Sequence, residues 1–324
     1  MAHELTIRAS GKTEFAFSGS RTKIWHSLGQ ELTEGADINT WKTESGLDWE
    51  IFRSAVSYQS MDGTHQYTDK NVLFRSDTKE ALSVVGKDYH VVQPGQVLEF
   101  FRDLTELHGY KLSAAGSLFG GKKFWATAEI GKTFNAVQDD EIKGQLLLVT
   151  SCDNSSSTQA KFVSERVVCN NTLTVALNEN SKNLVRKTHA SEWNPESFKI
   201  DLGLVDESWE KFSAQMKKLT EIEVNDKFVQ KYFQDKFFNP EVSVDDQTTQ
   251  TYNKIQKLMS LYKTGAGSHF APDTAYQVLQ AMTDAFSHGL RSKQDPSRRM
   301  WEGSFGQADK IKSVAFNELY AMAA

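Results

Sequence analysis

From residue 52 onward the apolar positions come in short clusters separated by turn residues. AVSYQSM, the pair Asp62-Gly63, HQYTDKNVLFRSD and EALSVVGKDYHVV predict a β-meander of short strands. The period then changes. Val97, Phe100, Phe101, Leu104 and Leu107 recur at helical spacing, with Pro94 near the start of the run and Gly109 beyond its end, so an amphipathic helix is expected there. YKLSAAGSLFGGKKFWATAEI and KGQLLLVTSCD follow, broken by Gly120-Gly121 and by Asp139-Asp140-Glu141 into three or four strand-like pieces. The turns between these strands are mostly too short for crossover helices, which favours antiparallel pairing.

Beyond residue 200 the spacing is helical. Trp209, Phe212, Met216 and Leu219 form one stripe, and Phe228, Tyr232 and Phe233 another. Ile255, Leu258, Met259 and Tyr262 form a third, and Tyr276, Leu279, Met282 and Phe286 a fourth. A final helix is expected from about 305 to 322, carrying Ile311, Val314, Ala315 and Leu319. The expected fold is therefore α+β: an antiparallel β-meander with packed helices, followed by a mainly helical C-terminal region. The expected divisions are an irregular N-terminal arm at 1–50, an antiparallel α+β core at 51–190, a connecting segment at 191–203 and a helical region at 204–324.

The stretch FVSERVVCNNTLTVAL, residues 162–177, sets Arg166, Cys169, Asn170 and Asn171 inside an apolar run. Val167, Cys169, Leu173, Val175 and Leu177 fit a strand, whereas Arg166, Asn170, Leu173 and Leu177 fit one face of a helix. The turn and capping residues of the preceding NSSSTQAK tilt the reading towards helix. The polar cluster then has two roles open to it. The asparagine amides satisfy backbone groups at a crowded junction, or Arg166 and an asparagine reach a phosphate or a base edge.

Composition narrows the class. Hydrophobic residues make up 39% and charged residues 24% of 324, as in a soluble globular chain. The start has no apolar signal segment, and no run approaches a membrane span, so no membrane association and a cytoplasmic location are expected. The formal charge of −5 does not favour a long nonspecific duplex footprint. Cys152 and Cys169 are too few for a disulfide framework, and the eight histidines lack ligand spacing. No metal or cofactor is expected, and the usual catalytic motifs are missing, which leaves an enzyme as the third choice. Gly116–Lys123 imitates a phosphate loop but lacks the Ser or Thr after the lysine, and a hairpin turn explains its Gly-Gly pair.

Lys122, Lys123 and Trp125 suit single-stranded nucleic acid, because phosphates attract cations and bases stack on rings. Arg75 and Lys87, with Lys132 and Lys161, enlarge a basic groove if the fold brings them together, and Arg166 and Asn170 join the same set. RSKQDPSRRMWEGSFG adds a basic loop through Arg291, Lys293, Arg298 and Arg299.

IWHSLGQEL, ALSVVGKDYHVVQ, FGGKKFWATAEI, SERVVCNNTLTVAL and TGAGSHFAPDTAYQVLQAMTDAFSH together resemble the phage/plasmid-like family catalogued as domain of unknown function 932. The resemblance runs from about 20 to 320. It departs at Asp273-Thr274-Ala275-Tyr276, where the family's usual sequence contains tryptophan. It implies a mobile-element setting. The strand-rich segment with its helix is also similar, at fold level, to single-strand annealing proteins of the Rad52-like group, which form rings holding single-stranded DNA in a basic groove.

Two functions are expected on these grounds. The first is an oligomeric, single-stranded nucleic-acid-binding or annealing-related accessory protein. The second is a non-enzymatic oligomeric scaffold, or a factor of a mobile element that engages a host or phage protein.

Overall fold

The computed structural model describes residues 6–8, 10–18, 29–166, 171–174, 185–197, 205–288 and 296–323. The meander is present. Strand β3 (Ile51–Ser60) turns at Met61-Asp62 into β4 (Gly63–Arg75), which pairs in turn with β5 (Ala81–Gly86). These three form their own antiparallel sheet, in the order β3-β4-β5.

A second, larger sheet takes β1 (Phe15–Ser18), β2 (Gln30–Leu32), β6 (Lys111–Leu118), β7 (Lys123–Asn135), β8 (Glu141–Ser151), β9 (Thr158–Arg166), β10 (Asn171–Thr174) and β11 (Val185–Lys187). Its order is β10-β9-β8-β7-β6-β1-β2, with β11 also on β9. Pairing is antiparallel for β1 with β6, β6 with β7, and β9 with both β10 and β11, whereas β1 and β2 run parallel. The first fifty residues, read as an irregular arm, thus supply two short strands and the helix α1 (Ile38–Ser45). Strands of four and three residues are too short to show a period.

The helix reading of residues 162–177 is corrected for 162–166 and 171–174, the part of that stretch within the described residues. Arg166 lies opposite Asn171, and Val163 opposite Thr174, in an antiparallel β9–β10 ladder. Both periods fit because β9 is buried along its whole length, Lys161, Glu165 and Arg166 included, so no alternation marks one face.

The residues group into two compact units. The first comprises 1–131, 145–162 and 177–205, and holds the meander, α1 and the helix α2 (Pro94–His108). Helix α2 begins with Pro94 in its first turn and ends on Gly109 in the left-handed region. It buries Val97, Phe100, Phe101 and Leu104 of the expected face and Leu98 besides, whereas Leu107, expected on the same face, is 65% exposed in the last turn.

The second unit comprises 132–144, 163–176 and 206–324. Its helices are α3 (Val205–Leu219), α4 (Asp226–Phe237), α5 (Thr249–Thr264), α6 (Ala275–His288), α7 (Pro296–Ser304) and α8 (Gln307–Ala321). Trp209, Phe212, Met216 and Leu219 are buried, and Phe134 meets Trp209 and Phe212 edge-on at 5.5 and 6.1 Å. The buried Lys312 of α8 donates to Thr172 O at 2.7 Å and to Ser287 Oγ at 3.2 Å. Among the described residues no helix is long and apolar enough to cross a membrane.

Candidate functional site

In the first unit Arg75, at the end of β4, is 2% exposed. Its guanidinium donates to Glu14 at 2.6 Å and to Asp77 at 2.8 and 2.9 Å, and lies 4.1 Å over the Trp49 ring. Glu14 also accepts from Ser117 Oγ. Burial alone pulls the Arg75 pKa down, but the hydrogen bonds and charges of Asp77 and Glu14 outweigh it and raise the pKa above its ordinary value. Asp77 is held below the ordinary carboxylate range, chiefly by the bond from Arg75.

Lys123 opens β7 at the end of a hairpin turn, whose Phe119, Gly120 and Gly121 all take positive φ. The turn reading of Gly120-Gly121 therefore holds. Lys123 is 6% exposed, donates to Ser155 Oγ, and has Asp153 at 3.9 Å. Burial lowers its pKa, partly offset by the Asp153 charge. Trp125 is also buried, tilted against Phe15 at 5.7 Å. Lys122 and Lys87 are exposed.

Arg166 belongs to the second unit and is 3% exposed. Its Nε and Nη2 each donate to the fully buried Asp140 at 2.7 Å, and Nη1 and Nη2 donate to the carbonyls of Ala266 and Gly267 at 3.1 and 3.0 Å. Tyr276 Oη donates to Asp140 at 2.6 Å, and the Phe270 and Tyr276 rings lie 5.7 and 5.5 Å from the guanidinium carbon. Asn170 and Cys169 lie outside the described residues, as do 289–295 of the late basic segment, whereas Arg298 is exposed. Arg166 itself ends a strand and is on no helical face.

Cys152 is buried, and burial pushes its thiol up to about 12, so it is not poised as a nucleophile. His189 stacks on Tyr89 at 4.6 Å and its Nδ1 meets His90 O at 3.0 Å, while burial lowers its pKa. Among the described residues no group of three or more His, Cys, Asp or Glu side chains could hold a metal.

The meander carries a surface feature that residue spacing does not reveal. Strands β3 and β4 continue past β5 as a two-stranded ribbon, pairing Val56 with Tyr67 through Ser60 with Gly63. The pairing jumps between Ala55/Asn71 and Val56/Tyr67, leaving Thr68, Asp69 and Lys70 as extra residues on β4 where the ribbon leaves its three-stranded base. Along 52–70 the residues are exposed on both faces, apart from the half-buried Val56 and His65. Tyr58 is 53%, Tyr67 49% and Met61 fully exposed. No Lys or Arg occurs between Arg53 and Lys70. The signal for this in the sequence is SYQSMDGTHQYTD itself, which is strand-forming yet has no apolar face to bury.

The architecture defines an α+β protein with a meander, a mixed sheet and a helical C-terminal region, in which Arg75, Lys123 and Arg166 are buried, Lys87 and Lys122 are exposed, and the aromatic ribbon is exposed. The chain belongs to the family described as Domain of unknown function (DUF932), whose model matches residues 81–302. The ribbon precedes that span. No curated protein and no solved structure matches the chain.

Proposed function

We propose that this chain is a non-enzymatic interaction protein of mobile elements that works by contact with protein. The observation that carries the reading is the exposed ribbon of β3 and β4. It offers Tyr58, Met61 and Tyr67 to solvent without a Lys or Arg beside them. Aromatics and methionine are enriched in protein interfaces, whereas a nucleic-acid surface needs cations near its rings. The ribbon's own formal charges, Asp62 and Asp69, repel phosphate.

The burial of Arg75, Lys123 and Arg166 supports the same choice, because two of these cations already face buried or neighbouring carboxylates and the third is bonded to Ser155. The single-stranded nucleic-acid reading retains exposed Lys87 and Lys122 in its favour.

A photo-crosslinking residue placed at Tyr67 in the full chain tests the proposal in cells. Protease-sensitive adducts are expected. Nuclease-sensitive adducts, together with low-salt binding of fluorescent single-stranded DNA that Lys87→Glu and Lys122→Glu abolish, overturn it.

A further inference from the structure

Among the described residues strand β3 is an open edge. It pairs with β4 on one side only, and it stands at the end of its sheet. At its inner end Ile51 sends its N–H to Gln93 Oε1 at 2.8 Å and receives Gln93 Nε2 on its carbonyl at 3.2 Å. The glutamine amide thus replaces a partner strand and closes the edge there. Backbone groups alternate sides along a strand, so those of Ser57 and Gln59 point outward like those of Ile51. The extra residues of the irregularity are on β4 and leave this alternation intact.

Natural proteins blunt long edges with lysines, prolines or bulges. Residues 54–61, SAVSYQSM, carry no lysine, no proline and no formal charge, and the extra residues of the irregularity beside Ala55 and Val56 lie on β4 rather than on this edge. The uncharged stretch is bracketed by Arg53 on one side and Asp62 on the other. This pattern complements itself in one direction only. Antiparallel pairing with an identical strand brings the Met61-Asp62 turn of each copy beside Arg53 of the other, and parallel pairing sets like charges together.

Resting on the protein-contact reading above, we propose that the β3 edge pairs antiparallel with the β3 edge of a second copy of this chain about a two-fold axis, joining two three-stranded sheets into one of six. Tyr58 and Met61 lie in the paired stretch and lose their exposure across the axis. A closed two-fold contact places each substitution in the interface twice, so single changes have doubled effects.

The test is sedimentation of the purified full chain at concentrations up to about 100 μM, with three variants. Ser57→Pro removes an outward N–H without taking a bond from the β4 ladder. Gln59→Lys puts a cation on the uncharged edge, on the side nearer Arg53 of the mate, and Asp62→Lys at the exposed turn sets a cation beside that Arg53. The expected result is a dimer, or an assembly built from dimers, whose dissociation constant each variant raises by about tenfold or more while far-UV circular dichroism and the thermal midpoint hold. Slow amide exchange at Ser57 and Gln59 in the assembled wild type, lost in Asp62→Lys, supports it as well.

A wild-type chain that stays monomeric, or an assembly that all three variants leave intact, overturns the pairing. In that event protein adducts at Tyr67 still uphold the wider reading. Conversely, edge pairing with nuclease-sensitive adducts upholds the pairing and overturns the wider reading.

Discussion

Replacing Arg166 with alanine separates an architectural cation from a ligand-contacting one. Asp140 is 0% exposed and receives two bonds from Arg166, at 2.7 Å each, and one from Tyr276 at 2.6 Å. The substitution leaves Asp140 with the tyrosine bond and withdraws the guanidinium from the carbonyls of Ala266 and Gly267. Removing one member of a buried ion pair costs about 3–5 kcal/mol, mainly because the other charge stays buried without compensation. In a unit of this size that is a fall in thermal midpoint of about 10 °C. Urea unfolding followed by far-UV circular dichroism reads it, since the helical signal comes largely from α3 to α8 in the same unit. Tyr276→Phe, which removes one charge-assisted bond, should cost about 1.5–3 kcal/mol. Arg166→Met combined with Asp140→Leu should recover most of the loss, because no buried charge is then left alone. A loss below about 1 kcal/mol for Arg166→Ala, with single-stranded DNA affinity abolished, refutes the argument and returns Arg166 to a binding surface.

Gly121→Ala should destabilise more than Gly120→Ala in parallel melts. Both glycines have positive φ, but a Cβ at Gly121 meets Trp49 at 2.8 Å and Arg75 Nη1 at 2.9 Å, whereas Gly120 has open space. The Cys152 thiol should resist a disulfide reagent at pH 8 in the native protein and react after unfolding, read by mass spectrometry of its peptide. Because its folded pKa lies above the ordinary 9.0, the native state holds the proton longer than the unfolded chain. Its contribution to stability is therefore full below about pH 9 and is lost as pH rises towards 12. His189 has the opposite sign: burial lowers its pKa from 6.5, so its contribution is full above that pH and falls on acidification. His189→Phe should flatten the acid limb of a stability–pH curve, and an unchanged limb would exclude His189 as its source.

How far the fold was legible depended on whether a segment had one polar and one apolar side. Helix α2 and the stripe of Trp209/Phe212/Met216 are half-and-half surfaces, and their periods were readable, whereas the helix of Tyr276/Leu279/Met282 is buried on nearly every side and showed its period through the polar Gln277, Gln280 and Thr283 between its apolar residues. Strand β9 is covered on both sides and carries Lys161, Glu165 and Arg166 inside, so neither period stood out and the helix reading was as good locally as the strand. The ribbon fails in the opposite way. It is bare on both sides, so the strands were legible but their exposure was not.

The cations show why the candidate site was harder still. A basic residue in an apolar stretch has two physical solutions: a phosphate from outside or a carboxylate from within. Choosing between them requires the partner's identity, which is a property of topology. Arg75 finds Glu14 across 61 positions, and Arg166 finds Asp140 across 26, in an acidic stretch that read as a strand breaker. No local spacing rule connects either pair, because strand order decides which carboxylate arrives. The β3 edge is the reverse case. Its meaning lies in Arg53, eight uncharged residues and Asp62, and that pattern was in view from the start. It became informative once the ladder showed one side of the strand open, which turned a neutral stretch of chain into a surface whose charges fit a second copy of itself.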